Sequence, residues 1–157
     1  AVEVLAAPDI RERRAEGLAA LQSARLLVLP GGSPQRLLFA LTSTEAGQVI
    51  LNLIASGGRV MGASAGAMVL GTSLLLPERN LSVVPGLGVV AVAVIPHWWP
   101  DRDQWVKPLT GKAPILGLAE EAGVIYHDGV VTAVGKAPTR LVDEARDLEV
   151  GQSWRVP

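Results

Sequence analysis

Cysteine is absent from this chain of 157 residues. The protein therefore cannot form disulfides, bind a metal through thiolates or use a cysteine nucleophile. Histidine is nearly absent as well, because only His97 and His127 occur. A search for an imidazole that acts as a general base is confined to these two residues.

Neither an excess of one charge nor a long apolar run is present. The net charge is −1 and the basic residues are scattered, which argues against a nucleic-acid partner because such a partner usually requires a basic face. Glycine and proline interrupt the apolar runs well short of the roughly 18 residues that a membrane helix needs, so we expect no membrane partner. No signal peptide is visible, although a mature chain would have lost one, and we expect a cytoplasmic protein.

The composition that remains is that of a globular protein. Hydrophobic residues make up 49% and charged residues 18%, which predicts one domain over residues 1–157. Apolar runs alternate with amphipathic stretches, and this predicts a three-layer α/β fold with a mostly parallel sheet and helices on both faces. Asp128-Gly129 between two β-rich runs predicts a C-terminal β-hairpin. The predicted elements are strands at 2–5, 26–29, 59–61, 89–95 and 115–118, and helices at 10–24 (with Asp9 as N-cap), 35–41 and 44–56.

Gly62-Ala63-Ser64-Ala65-Gly66 is the most informative motif of the sequence. It follows a predicted short strand and precedes a segment that can open a helix, which is the context of a nucleophile elbow. The flanking glycines avoid clashes around a strained serine, and the turn aims N–H groups toward a developing oxyanion. Close packing of a strand against a helix is the alternative explanation for these small residues.

A serine nucleophile requires a base, and His97 follows the longest predicted strand. Sites in open α/β sheets form at the carboxyl ends of strands, so His97 is the candidate base; a histidine packed among tryptophans is the alternative. His127 lies in the predicted hairpin turn, where a solvated residue is the simpler interpretation. Spacing alone leaves four acids open as the group that orients the base: Asp101, Asp103, Glu120 and Glu121.

Four segments of the chain, taken in order, resemble peptidase family S51, which includes the aspartyl dipeptidases (dipeptidase E) and the cyanophycinases. They are the loop at 30–38, the motif at 62–67, the run from Gly86-Leu87-Gly88 to Pro96-His97-Trp98, and Gly117-Leu118-Ala119-Glu120. The resemblance implies a class I glutamine amidotransferase-like fold with serine in place of the amidotransferase cysteine. The order Ser, His, acid also differs from that of the α/β-hydrolases.

The resemblance implies roles for individual residues. Ser64 would be the nucleophile, His97 the base and Glu120 the orienting acid, although some family members use an acid between Ser and His. The N–H groups of Gly32 and Ala65 would form the oxyanion hole. Ser33, Arg36, Trp98 and Arg102 are the candidate substrate-binding residues. Lys107 is a further candidate cation for an acidic substrate side chain, and the Trp98-Trp99 pair is the alternative specificity element.

Three differences from the family pattern bear on specificity and length. Ser33 replaces the usual Asn or Asp, Ala119 replaces an acid, and the arginine-rich stretch after the histidine is reduced to Asp101-Arg102-Asp103. Aspartyl specificity is therefore open. Family members also begin with additional N-terminal βα units, so we expect the natural protein to be longer than this chain.

The sequence thus predicts a serine peptidase of the exopeptidase or dipeptidase type that acts on short peptides through an acyl-enzyme on Ser64. A catalytically silent amidotransferase-like domain that binds a small ligand or a protein partner is the alternative. We expect no cofactor and no metal. The substrate side chain, the pathway and the oligomeric state stay open, with a homodimer as the one self-association considered.

Overall fold

The computed structural model describes residues 3–157, apart from the side chain of Asp103. The chain forms two compact units, Ala1–Gly66 and Ala67–Pro157, which are described separately. The helices are α1 (Arg14–Ser23), α2 (Pro34–Thr42), α3 (Ala46–Ala55), α4 (Ala65–Leu70) and α5 (Asp103–Val106), with a 3-10 helix at Pro77–Arg79. The strands are β1 (Leu26–Leu29), β2 (Arg59–Gly62), β3 (Gly71–Leu76), β4 (Ser82–Pro85), β5 (Val90–Pro96), β6 (Ile115–Leu118), β7 (Ala122–His127), β8 (Val130–Gly135), β9 (Thr139–Leu141), β10 (Arg146–Leu148) and β11 (Ser153–Arg155). The α/β class predicted from the sequence is confirmed.

The first unit is a parallel pair of strands with three helices. β1 and β2 pair in parallel from Leu26 opposite Arg59 to Leu29 opposite Gly62. α1 and α2 both pack on α3, and α3 packs on β2, which buries Ile50 completely. The carboxyl ends of β1 and β2 therefore lie side by side, and the loop after β1 and the turn after β2 both leave from that edge.

Two predicted details of the first unit are wrong. Residues 3–5 form no strand, and Val4 is 88% exposed; Val2 lies outside the described residues. The helix predicted from residue 10 begins at Arg14, and Asp9 does not cap it. The Asp9 carboxylate instead accepts hydrogen bonds from the backbone and side chain of Arg11.

The second unit contains a mixed six-stranded sheet in the order β10-β9-β6-β5-β3-β4. β5 pairs in parallel with β3 and β6, whereas β4, β9 and β10 add antiparallel pairs. The mostly parallel sheet is therefore only partly confirmed, because antiparallel strands extend the parallel centre on both sides. The three-layer arrangement and the single domain stay predictions.

A separate antiparallel sheet of the second unit has the order β11-β8-β7. It contains the predicted hairpin, in which Asp128 (φ +47°) and Gly129 (φ +77°) form the turn between β7 and β8. Positive φ at both central residues is the condition for a type I′ hairpin turn, so the Asp-Gly signal is confirmed by the conformation it requires.

Within residues 3–157, no single helix is long and apolar enough to cross a membrane. The consecutive helices α2 and α3 reach the required length and composition only together, and the pair is bent by 82° at its junction.

Candidate active site

Ser64 occupies the sharp turn between β2 and α4, and its backbone is strained. Its φ angle is +49°, in the left-handed region that costs a residue with a side chain about 1–2 kcal/mol. The Ala63 N–H donates to Leu29 O at 3.0 Å, and the Gly66 N–H donates to Pro30 O at 3.1 Å. These bonds tie the turn to the end of β1 on both sides of Ser64, so the strained conformation is held from the neighbouring strand.

Gly66 is a glycine because the backbone of β1 passes too close for any side chain. A Cβ at this position would lie 2.2 Å from Leu29 O. Ala65 and Gly66 are buried, whereas Ser64 is partly accessible to solvent. The close packing of Gly66 on β1 and the strained turn at Ser64 therefore occur together, and the two explanations for the small residues are compatible.

The loop after β1 runs beside Ser64. A Cβ on Gly31 would lie 3.4 Å from Ser64 Cβ and 3.9 Å from Ser64 Oγ. Gly32 has a φ angle of +122°, and beyond its own chain neighbours no described atom lies within 4 Å of the position that a Cβ would take there. Ser33 caps α2, because its Oγ accepts the Arg36 N–H at 3.1 Å. The end of the loop is thus fixed by the Ser33 cap, and open space lies beside Gly32.

His97 follows β5 directly and is presented by a strained turn. β5 is a buried apolar strand that ends at Pro96, and His97 itself has a φ angle of +52°. β5 and β6 run in parallel with Pro96 opposite Leu118, and the Trp98 N–H donates to Leu118 O at 2.9 Å. The residues that follow the two strands therefore meet at the same edge of the sheet, which is the position predicted for a site.

At that edge the structure brings His97 and Glu120 together, with His97 Nδ1 and Glu120 Oε1 2.5 Å apart. A carboxylate at Nδ1 fixes the tautomer with the proton on Nδ1, so that Nε2 carries the lone pair a general base uses. The side chains are 52% and 70% exposed, and a contact between groups this exposed adds little stability. The contact is therefore better understood as orientation of the ring than as a stabilising bond.

The sequence left three other acids open. Glu121 pairs with Lys136, Asp101 is exposed, and the side chain of Asp103 lies outside the described part of the structure. His127 is 85% exposed in the hairpin turn, 3.3 Å from Asp128, as expected for a solvated residue.

The candidate substrate-binding residues are placed in several ways. Arg36 is exposed. The Trp98 ring lies on β6, where a Cβ at Gly117 would come within 2.5 Å of it. The Arg102 guanidinium lies 4.7 Å from the centre of the Trp105 ring, a cation–π contact. No group of three or more His, Asp or Glu side chains within the described residues is arranged to hold a metal ion.

Sequence reasoning missed the packing roles of two glycines that shape the His97 and Glu120 turns. Gly117 makes room for the Trp98 ring, and Gly135 makes room for the Glu121 carbonyl. Both are non-local contacts, so no periodicity in the sequence marks them. The only local signal is that Gly135 ends a strand.

A strained serine turn thus lies at the carboxyl end of a parallel strand pair in an α/β protein. The chain belongs to peptidase family S51, whose profile matches residues 5–134. The resemblance inferred from the four sequence segments is thereby confirmed.

Similar proteins span a longer chain. A crystal structure of a peptidase from an acI-B1 Actinobacterium has a TM-score of 0.74 and 28% identity, covering 88% of this chain and 62% of that one. A peptidase E candidate from Listeria monocytogenes EGD-e has a TM-score of 0.65 and 22% identity, covering 79% and 66%, and shows likeness of fold. The pyridoxal 5'-phosphate synthase subunit PdxT of Deinococcus radiodurans is 30% identical over 116 residues, which are 73% of this chain and 58% of that protein.

Proposed function

We propose that the chain carries the active site of a serine peptidase that hydrolyses short peptides through an acyl-enzyme on Ser64. The observation that carries the proposal is the φ angle of +49° at Ser64, held by hydrogen bonds from Ala63 and Gly66 to the end of β1. Strain of this kind persists only where the surroundings impose it, and it concentrates at functional residues. Membership of a peptidase family supports the same assignment.

The chemistry follows from the residues. Ser64 Oγ attacks the scissile carbonyl and gives its proton to His97 Nε2, while the Glu120 carboxylate stabilises the imidazolium through Nδ1. The N–H groups of Gly32 and Ala65 stabilise the oxyanion of the tetrahedral intermediate. His97 then protonates the leaving amine, and water, activated by His97 in turn, hydrolyses the Ser64 ester and releases the acid.

Substrate selection is proposed to depend on a cation, because an acidic side chain that is buried without a partner is strongly unfavourable. Arg36 and Arg102 are the candidates, and Ser33 and Trp98 would complete the binding surface. Aspartyl peptides are then the preferred substrates, with dipeptides as the simplest case. A homodimer and a cytoplasmic location stay predictions.

A fluorophosphonate probe tests the nucleophile directly. We expect covalent labelling at Ser64, located by peptide mass spectrometry, and no labelling in Ser64→Ala. Ser56→Ala is the matched control, since Ser56 is an exposed serine that only caps α3 through Leu53 O. Labelling that competes with short peptides supports the peptidase. A folded protein that takes up no probe and cleaves no peptide would contradict it and favour the silent ligand-binding domain.

A further inference from the structure

Glu120 lies in a tight turn whose conformation is unfavourable for its sequence. β6 ends at Leu118, and the Ala122 N–H donates to Ala119 O at 3.2 Å, which places Glu120 and Glu121 at the centre of the turn. Glu121 has a φ angle of +61°, a conformation that glycine adopts freely and glutamate does not. The turn must therefore be held by contacts from outside it.

The end of the β7–β8 hairpin supplies those contacts. The Lys136 N–H donates to Glu121 O at 2.9 Å, and Lys136 Nζ lies 2.5 Å from Glu121 Oε1. Gly135 precedes this lysine with a φ angle of +105°, and a Cβ at Gly135 would lie 2.2 Å from Glu121 O. Only a glycine at this position lets the backbone of Lys136 reach that carbonyl.

The backbone contact outweighs the ion pair. The side chains of Lys136 and Glu121 are 79% and 61% exposed, and exposed pairs of long side chains contribute little. The hydrogen bond between main-chain groups costs no side-chain ordering. Gly135 and the Lys136 N–H are thus the groups that fix the turn.

We propose that Gly135 and Lys136 form a positioning element that holds the Glu120 carboxylate at His97 Nδ1. The inference rests on the proposed function, in which His97 is the general base. Neither residue touches the reacting atoms; both act through Glu121, whose backbone conformation sets the direction in which Glu120 leaves the turn.

The first test compares two variants that each place alanine at a glycine position with positive φ. Gly135→Ala introduces the collision with Glu121 O, whereas Gly151→Ala is the control, because Gly151 has a φ angle of +88° and open space where a Cβ would be. The readout is the long-range proton–nitrogen NMR spectrum of the imidazole rings, which shows which nitrogen carries the proton. Glu120→Gln provides the spectrum of His97 without the Glu120 carboxylate, and exposed His127 serves as the internal reference.

We expect Gly135→Ala to shift His97 from the Nδ1–H tautomer toward the spectrum of Glu120→Gln and to lower kcat about 10- to 100-fold with little change in KM. Gly151→Ala should keep the wild-type tautomer and rate. A Gly135→Ala protein that retains the Nδ1–H tautomer would overturn the proposal.

A second pair of variants changes Glu121 in the turn itself. This pair tests the positioning element even if Gly135→Ala does not fold. Both remove the Glu121 carboxylate, but Glu121→Pro fixes φ near −65° while Glu121→Gly accepts a positive φ. We expect the tautomer to be lost only with proline. Equal loss in both variants would show that the ion pair, and not the turn, is the anchor.

The NMR spectrum reports the tautomer without a substrate. The positioning element and the proposed peptidase function can therefore be refuted independently. If the chain cleaves no peptide, the NMR comparison still supports or refutes the positioning element. If the protein is active, and Gly135→Ala loses the Nδ1–H tautomer of His97 without a fall in kcat, the positioning element stands and the role of His97 as base is refuted.

Discussion

The turn at Ser64 and the pair formed by His97 and Glu120 are held by different means. Main-chain hydrogen bonds hold the turn around Ser64 to the end of β1, and Gly66 lies against Leu29 O with no space for a side chain. The His97–Glu120 pair is a solvated contact between two side chains on strained turns. The fold of the first region should tolerate changes in side-chain chemistry but not in volume, whereas the contact in the second region should depend on the chemistry of its two side chains.

The largest effect is expected at Ser64. Ser64→Ala should abolish peptidase activity, by at least about 10³-fold, with the fold intact, because it removes one oxygen. Ser64→Gly should be equally inactive but more stable by about 0.5–1 kcal/mol, because glycine relieves the strain at φ +49°. Denaturant unfolding and peptide hydrolysis measure the two quantities. Wild-type activity in either variant would contradict the assignment of the nucleophile.

A double-mutant cycle on His97 and Glu120 comes next. His97→Gln should lower kcat/KM by about 10²–10⁴-fold, the range of a general base. Glu120→Gln should cost less, and the double variant should be no worse than His97→Gln, because Glu120 acts only through the ring. Additive losses would show that Glu120 has a separate role.

Arg36, in the first unit, and Arg102, in the second, extend the comparison to the substrate. If one of them meets an acidic side chain, its replacement by Met should cost about 1.5–3 kcal/mol in kcat/KM for an Asp-containing dipeptide and nothing for a Leu-containing one. Exposed Arg155 offers a matched control as Arg155→Met. Equal cleavage of both dipeptides by the unmodified protein would leave Trp98 and Trp99 as the specificity elements.

Added volume beside Ser64 should lower the stability of the protein. Gly66→Ala places a methyl group 2.2 Å from Leu29 O and should lower the free energy of unfolding by about 1–3 kcal/mol, with loss of probe labelling at Ser64. Gly123→Ala is the control, since its methyl group would meet Val134 Cγ2 at an ordinary 3.5 Å. Equal stability of the two variants would contradict the packing argument for Gly66.

The smallest effect concerns acid stability. Hydrogen bonds from Arg11 lower the pKa of Asp9 from 3.8 to about 2. A lowered pKa in the folded state gives stability that is complete above about pH 4 and is lost as the pH falls toward 2. Asp9→Asn should therefore flatten the dependence of the melting temperature on pH in this window and nowhere else. A shift of the same size at pH 7 and pH 2 would argue against linkage through Asp9.

Apolar runs and turn residues in the sequence predicted those strands and turns whose conformation depends mainly on neighbouring residues. β1 occupies residues 26–29 as predicted, and Asp128-Gly129 forms the predicted turn. β3 was missed, because Gly71-Thr72-Ser73 gives no strand signal and the strand depends on pairing with β4 and β5. The predicted strand at 2–5 failed for the converse reason, since residues 3–5 find no partner strand.

The sequence predicted those residues of the candidate site that directly follow a recognisable strand. His97 could be found because it follows a long apolar strand. Glu120 could not be separated from Asp101, Asp103 and Glu121 by spacing, and only the family resemblance favoured it. The contact of Lys136 with Glu121 bridges 15 residues between two strand ends, and no pattern in a single sequence marks such a contact.

The strain at residue 64 has an evolutionary consequence, because it resides in the main chain and does not depend on the serine oxygen. The same turn would accept a cysteine, so exchanging the nucleophile replaces oxygen by sulfur and leaves β1 and β2 unchanged. A thiol ionises far more readily than a hydroxyl, and it therefore places weaker demands on a base. Serine and cysteine enzymes built on such a turn should consequently differ most in the acid and the turn that orient the imidazole of the base.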